Sequence, residues 1–414
     1  MVRRLLAAAL LLAPLGLPVH AKMPIDEFKT RRANLRKSLD GVLVLFSHVE
    51  GRDEVFRLAE EPNFYYLTGW NQPGARLLIT PARELLFLPH HNERIEHFQG
   101  KRSSAEDSDA QALTGFEEVR PIEKFEYELD QALSQHDKLY APLTGPGTEK
   151  LKTLYPFREI SDAAPLVAKL RVKKSSAELA AIQHATDVSI EAHRASWKRM
   201  APGLSEYQIA AVLWSTYIES GCEGVAYSPI VGSGINSTIL HYSANQRRMD
   251  RGEVVVMDAA AQCADYASDI TRTVPVSGKF SARQREIYQI VLGAQKAAIA
   301  ALKPGVRMAG PGDSLTKIAR DYMDAHGKDQ HGEPLGKYFI HGLGHNVGLD
   351  VHDPGIDGPL EAGMVVTIEP GIYIPEESIG VRIEDVVLVT ENGAKVLSAA
   401  LPKEADEIEK AVAK

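Results

Sequence analysis

Asp258 and Asp269 each interrupt an otherwise apolar, strand-like segment, 253–261 and 266–276. A hairpin centred between Cys263 and Ala264 makes the two residues equidistant from its turn. They then become direct cross-strand partners on one face, with Cβ atoms about 4.5–5.5 Å apart. Glu369 and Glu384 repeat the arrangement about a centre between Glu376 and Glu377, in the turn-like stretch Pro375-Glu376-Glu377-Ser378. Four converging carboxylates in an apolar sheet cannot all stay ionised without compensation: a pKa rises strongly or cations are recruited. Arg382, two residues before Glu384 and so on the same strand face, offsets one charge. Two divalent ions offset the rest, and a metal pair about 3.5–4 Å apart serves many hydrolases. A single carboxylate is better read as a surface residue; four at matched spacing on two apolar hairpins are not.

Histidines complete the set. His341-Gly342-Leu343-Gly344-His345 and Val351-His352-Asp353 place three imidazoles in a glycine-rich stretch, which points to strand and loop rather than to a helical zinc motif. In an extended strand His341 and His345 share a face. His241, in Leu240-His241-Tyr242, is a fourth candidate. Oxygen donors with one imidazole suit manganese, cobalt or iron, and zinc is compatible. His90, His91 and His97 also lie close together, but Leu88-Pro89 ends a strand just before them, so they are read as an exposed loop.

The elements that position these residues recur. Ser175 and Glu178 form a capping box for a helix to about Met200, broken by Pro202-Gly203, and Ser205 with Gln208 caps a second helix ending at Gly221. Strand-like segments follow at 225–231, 239–242, 253–261 and 266–276. The order then returns: Ser281 with Gln284 caps a helix stopping at Pro304-Gly305, and Asp313 caps another stopping at Gly327. Strands are expected at 337–341, 349–352, 364–374 and 381–390. Gly252-Glu-Val-Val-Val-Met-Asp258 matches Gly363-Met-Val-Val-Thr-Ile-Glu369 at an offset that also carries His241 onto His352. The pattern is a duplicated helix–helix–sheet unit whose halves face each other.

The first half mixes short strands and helices, with strands expected at 41–46, 76–80 and 84–88, the last two around a turn at Pro81-Ala82. At its start, Arg3 and Arg4 precede an apolar run from Leu5 to Val19 and the small residue Ala21, the layout of a cleaved secretory leader over 1–21. The run is too short for a membrane anchor, and Pro14 and Pro18 interrupt it. Without the leader the chain carries 45 basic against 55 acidic residues, a balance that argues against nucleic acid or an anionic membrane as partner. What remains is too long for one core, so two domains are expected, 22–168 and 169–414. Cys222 and Cys263 are the only cysteines; an oxidising compartment permits one bridge, which spacing cannot decide.

The motifs from Asp258 through Asp269-Ile-Thr-Arg-Thr, His341 through His345 to His352-Asp353, Thr367-Ile-Glu369-Pro-Gly and Gly380-Val-Arg-Ile-Glu384-Asp385 resemble the aminopeptidase P and prolidase branch of the "pita-bread" metallopeptidases. Asn63-Phe-Tyr-Tyr-Leu-Thr-Gly69 and Gln72-Pro-Gly74 look like the N-terminal domain of aminopeptidase P, so the resemblance covers the whole mature chain. It implies an α/β (α+β) protein: a creatinase-like N-terminal domain, then a pita-bread domain of pseudo-twofold helix–helix–antiparallel sheet units. It implies that Asp258 chelates one metal, that His345 and Glu369 chelate the other, and that Asp269 and Glu384 bridge. By the same resemblance a hydroxide between the metals attacks the scissile carbonyl, with Glu369 as general base. His241 and His352 would stabilise the developing oxyanion, His341 would line the proline pocket, and Arg382 and Tyr373 would support the ligands and the reacting carbonyl. Short proline-containing peptides are the implied substrates, two divalent ions (manganese first) the cofactor, and a homo-dimer or tetramer the implied assembly.

The alternative within the class is a prolidase, restricted to Xaa-Pro dipeptides. The short link from Asp353 to Glu369 and the Asn63–Gly69 segment favour aminopeptidase P. A binding protein built on a dead peptidase fold, or a metal-free creatinase-like hydrolase, should have lost ligand positions, and all five are intact.

Overall fold

The computed structural model describes residues 23–48 and 61–413, so the leader assigned to 1–21 lies outside the described residues. In the first part, β1 (Val42–Phe46), β2 (Arg76–Ile79), β3 (Glu84–Leu88), β4 (Val119–Pro121), β5 (Leu139–Ala141) and β6 (Ile160–Asp162) form one mixed sheet in the order β4-β3-β2-β1-β5-β6. Around it run α1 (Ile25–Ser38), α2 (Pro62–Thr68), α3 (Glu93–Gln99), α4 (Ala110–Thr114), α5 (Phe125–Leu133), α6 (Pro146–Leu154) and α7 (Ala164–Arg171). β1 is apolar throughout, and β2 and β3 are apolar after Arg76 and Glu84, as strands covered on both faces must be.

The second part begins with α8 (Ser176–Arg199) and α9 (Glu206–Glu219), each opened by the expected capping box. Then come β7 (Gly224–Val225), β8 (Ile230–Ser233), β9 (Val254–Asp258), β10 (Ala261–Cys263), β11 (Tyr266–Ala267) and β12 (Thr271–Pro275). The second unit repeats the plan with α10 (Ala282–Ala301), α11 (Leu315–His326), β13 (Val365–Ile368), β14 (Gly371–Ile374), β15 (Ile379–Arg382), β16 (Asp385–Thr390), β17 (Gly393–Val396) and a closing α12 (Ala405–Val412). Two antiparallel three-stranded sheets, β12-β9-β8 and β13-β16-β17, occupy matching places in the two units. One continuous core joins them, with Ile209, Leu213, Met257, Val291, Ile368 and Val381 among its members.

A second core crosses between the two parts: Phe28, Leu43 and Phe64 pack in one cluster with Ile182, Val347 and Val365. Arg31 Nη2 donates to Tyr266 Oη at 3.0 Å, and that hydroxyl donates to Glu178 Oε1 at 3.0 Å, which ties α1 to α8 and to the β10–β11 hairpin. No helix among the described residues is long and apolar enough to cross a membrane.

Some expected elements are absent. Residues 239–242 form no strand: the chain leaves β8 at Gly234, in a left-handed conformation (φ 52°), and enters a 3-10 turn, Gly234–Thr238. Residues 337–341 and 349–352 form no ladder either. Leu335–Tyr338 is a 3-10 turn, and the later stretch closes on itself through Gly348 N to Asp350 O and Asp353 N to Asn346 O. The cap of α11 is Ser314 rather than Asp313; Ser314 is extended and its hydroxyl accepts from Lys317 N. Cys222 and Cys263 are joined in a disulfide that pins β10 to the end of α9.

Candidate metal centre

The first hairpin differs from expectation by one residue. Ala264 and Asp265 both have positive φ, 52° and 65°, so they form the two-residue turn and centre the hairpin between themselves. Asp258 therefore pairs with Thr271, and Asp269 lies diagonally across from it rather than directly opposite. A shift of two positions keeps both carboxylates on the same face. Tyr227 Oη meets both, 2.5 Å from Asp258 Oδ1 and 2.6 Å from Asp269 Oδ1.

The second hairpin has the expected register. Ile368 pairs with Asp385 on one side of a break in the ladder and Gly371 with Arg382 on the other, which leaves Glu369 opposite Glu384. Thr271 Oγ1 donates to Glu384 Oε2 at 2.6 Å, and Thr367 Oγ1 to Glu369 Oε1 at 3.1 Å. Arg382 donates from Nη2 to Asp258 Oδ2 at 2.6 Å and from Nη1 to Tyr373 Oη at 2.9 Å.

The segment carrying His341 and His345 is not a strand of the sheet, yet it runs beside β13, with Thr367 N donating to His345 O and Glu369 N to Leu343 O. Gly344 permits this approach, because a Cβ there would stand 2.0 Å from Thr367 O. His345 Nε2 lies 3.3 Å from Asp269 Oδ2 and 3.5 Å from Glu369 Oε1, while Nδ1 faces the Asn346 carbonyl at 3.0 Å. A carbonyl only accepts, so Nδ1 carries the hydrogen and Nε2, facing the two carboxylates, is the atom that could ligate a metal. The same reasoning assigns His341: Nδ1 donates to Gly342 O at 2.7 Å, so Nε2 accepts from the Tyr373 hydroxyl at 2.9 Å. The His352 ring stands 4.0 Å from that of His345, and His241 lines the same cavity.

Charge is out of balance here. Burial, reinforced by the neighbouring carboxylates, pushes Glu384 far above the carboxylate range and raises Asp269. It lifts Glu369 to about 7, although His345 opposes it. Burial works against protonation of His345, but Asp269 and Glu369 overcome it and hold the imidazolium up to about 9. His341 goes the other way, down to about 4, through burial and then Arg382. Burial and mutual repulsion thus favour the protonated form of these carboxyls unless a cation compensates them. The ligating atoms of Asp269, His345 and Glu384 already lie within 4.8 Å of one another, and Asp258 and Glu369 flank them. This oxygen-rich set with one oriented imidazole fits divalent ions.

The centre forms the floor of a cavity of about 530 Å³, whose walls include Ile230, Leu240, Val351 and Ser228. Three residues in contact with the carboxylates were given no role in the sequence analysis, although two of them lie in its quoted motifs. Thr271 and Thr367 lie two residues from Asp269 and Glu369, so strand periodicity could have found them. Tyr227 comes from the loop between β7 and β8 and gave no periodic signal. His90 pairs with the exposed Glu106 and Glu123, and His91 with the half-buried Glu96 and Asp107, while His97 falls in α3; no ligand set forms there among the described residues.

A duplicated fold with inward carboxylate hairpins and a metal-suited donor set defines a metal-dependent hydrolase. Residues 180–391 match the model of metallopeptidase family M24, and residues 28–140 match that of the aminopeptidase P N-terminal domain. The chain belongs to metallopeptidase family M24. It is 36% identical to an Xaa-Pro aminopeptidase of Haemophilus influenzae, an alignment covering 94% of this chain and 97% of that one. It is 35% identical to an Xaa-Pro dipeptidase of Pyrococcus furiosus, covering 86% and 96%. Among solved structures it resembles Escherichia coli aminopeptidase P bound to the inhibitor Pro-Leu, with TM-score 0.85, 28% identity and coverage of 95% and 99%.

Proposed function

We propose that this protein is an exported Xaa-Pro aminopeptidase, which removes the first residue of short peptides that carry proline second. The observation that carries this reading is the convergence of Asp258, Asp269, Glu369, Glu384 and His345 at the floor of one cavity. These five residues would hold two divalent ions, manganese by preference. Bound there, the ions supply Lewis-acid chemistry: they acidify a water and polarise the scissile carbonyl.

The chain's own groups do the rest. Glu369 takes the proton of the attacking water on a carboxylate oxygen, and Thr367 steadies that carboxylate. His241 and His352 donate toward the carbonyl oxygen as it gains charge. His341, neutral near pH 7 and fixed by Tyr373, lines the place of the proline ring. Arg382 locks Asp258 and Tyr373 in one geometry. An Xaa-Pro bond has no N–H, so recognition by ring shape and a free amino terminus replaces a hydrogen bond that other peptidases use.

Prolidase is the competing reading, and a dipeptidase needs a cation for the product carboxylate. Arg382 is the only Arg or Lys lining the cavity among the described residues, and it is engaged with Asp258 and Tyr373. That favours the aminopeptidase. The disulfide supports export, since such bonds persist in oxidising compartments. Tyr207, Trp214 and Ile218, each about half exposed along one face of α9, support a homo-oligomer.

The test uses protein from Lys22 onward, stripped by chelator and reloaded with manganese. An Xaa-Pro dipeptide, an Xaa-Pro-Xaa tripeptide and a proline-free tripeptide are offered in parallel. Release of the first residue from the proline tripeptide is expected. Cleavage of the dipeptide alone would make the protein a prolidase, and no cleavage with any divalent metal would leave a binding protein.

A further inference from the structure

His241 and His352 occupy equivalent places in the two units, and both line the cavity from exposed positions. Neither imidazole has a hydrogen-bond partner among the described residues, and neither sits on a strand. Apart from the contact of the His352 ring with that of His345, their placement comes from the backbone that carries them. In each loop the residue following the histidine is tied to a buried ionic group outside the cavity.

In the first loop, Tyr242 Oη donates to Glu206 Oε2 at 2.8 Å. Glu206, at the start of α9, is fully buried and gathers the rest of the loop. Its Oε1 accepts from Ser233 N at 2.8 Å, Ser233 Oγ at 2.7 Å and Asn236 Nδ2 at 3.2 Å, and its Oε2 from Arg247 N at 2.8 Å. One carboxylate thus brackets residues 233–247 from both ends, with His241 between them. In the second loop the tied residue is Asp353 itself, whose side chain is 1% exposed. Its Oδ1 accepts from Arg171 Nη2 at 2.6 Å and Asp350 N at 3.2 Å, and its Oδ2 from Lys174 Nζ at 2.8 Å. Arg171 ends α7, the link between the two parts of the fold, and Lys174 follows it; Arg171 Nη1 also donates to Asn63 Oδ1 on α2 at 2.9 Å.

Burying such charges stabilises little by itself, because desolvation cancels most of the attraction. Their geometric effect is specific: each fixes a loop bearing an imidazole that has no hydrogen bond among the described residues. We propose that Glu206 and Asp353 are paired positioning residues, Glu206 setting His241 and Asp353 setting His352. The kinetic consequence rests on the peptidase reading; the geometric one does not.

Double-mutant cycles separate positioning from general support. Glu206→Gln and Asp353→Asn are made alone and in His241→Ala and His352→Ala backgrounds, and turnover of the proline tripeptide is followed with metal content checked. Each single variant is expected to lose roughly ten- to a hundredfold in kcat, as misplacement of a reacting group by about 1 Å does. Within a loop the losses should not multiply: D353N in the H352A background should change kcat less than about twofold. Across loops, D353N with H241A should multiply. Losses that multiply in every pairing would overturn the proposal. Two further variants guard against misfolding: Tyr242→Phe deletes one donor to Glu206, and Asp353→Asn with Lys174→Met removes opposite charges together. Histidine-labelled NMR reads the loops without turnover. D353N should move the His352 imidazole resonances and leave those of His241, E206Q the reverse, and an unselective response would overturn the assignment even if wild type cleaves no peptide.

Discussion

Glu369 stands opposite Glu384 across a break between two ladders of one register, and among the described residues each carboxylate receives its hydrogen bond from a threonine hydroxyl. Burial and their closeness raise both carboxyls, so each favours its protonated form unless a cation compensates it.

That relationship sets a pH dependence. Glu369 is raised to about 7, so between its ordinary 4.5 and 7 the folded chain binds a proton that the unfolded chain has lost, and stability falls as pH rises. His345 is raised from 6.5 to about 9, and its stabilisation is complete below 6.5 and gone above 9. His341, lowered to about 4, acts in the opposite sense but only below 6.5. Chelated protein should therefore lose stability from pH 6.5 to 9. Metal-loaded protein, whose ions displace those protons, should not. The gap between the two forms should widen by roughly 1.4 kcal/mol per pH unit for each displaced proton. Thermal melts of both forms across that range check it, and a gap independent of pH would remove the argument.

Glu369→Ala should abolish turnover and leave the fold intact. The carboxylate is buried at a cost and contributes no ion pair closer than 3.5 Å, so the fold does not depend on it. A loss of at least about a hundredfold in kcat is expected for a general base. Circular dichroism must match wild type for the result to count, and full residual activity would exclude Glu369 from that role.

How much of this was legible beforehand follows from the chemistry of each element. Capping boxes at Ser175, Ser205 and Ser281 are local, and all three open helices as read. The Glu369–Glu384 register was legible because Pro375 and the polar stretch after it mark the turn. The Asp258–Asp269 register was not, because Ala264 and Asp265 adopt left-handed φ without a glycine to announce it. Among the described residues the loops of His241 and His352 join no strand ladder; Glu206, Arg171 and Lys174 hold them, and residues so distant in sequence leave no periodic trace. Tyr227 was missed for the same reason.

Tyr227→Phe should weaken metal retention more than it slows the loaded enzyme. The hydroxyl has one proton but sits at hydrogen-bond distance from both Asp258 and Asp269, so it fixes their spacing. Removing a partner that orients metal ligands weakens affinity by about 10- to 100-fold. Competition against a chelating dye measures this directly; unchanged affinity would show that the hairpin alone sets the spacing.

The disulfide makes a last prediction about the same hairpin. Cys263 lies on β10, between the arms that carry Asp258 and Asp269, and Cys222 follows the end of α9. The bond closes a sequence separation of 41 residues, for which chain entropy gives about 4 kcal/mol as an upper figure. Cys222→Ser should lower the unfolding free energy by up to that amount and release metal at a lower temperature than wild type, because the hairpin loses its tie to α9. The neighbouring strands of β10 are only two residues long, so besides the disulfide the hairpin is held chiefly through α8, where Ser189 Oγ accepts from Ala261 N and Glu178 from Tyr266. Denaturant melts and metal release followed together decide the matter. Equal melts would mean that the core around Leu213 and Met257 already holds the hairpin, and lower stability with unchanged metal release would confine the clip to global unfolding.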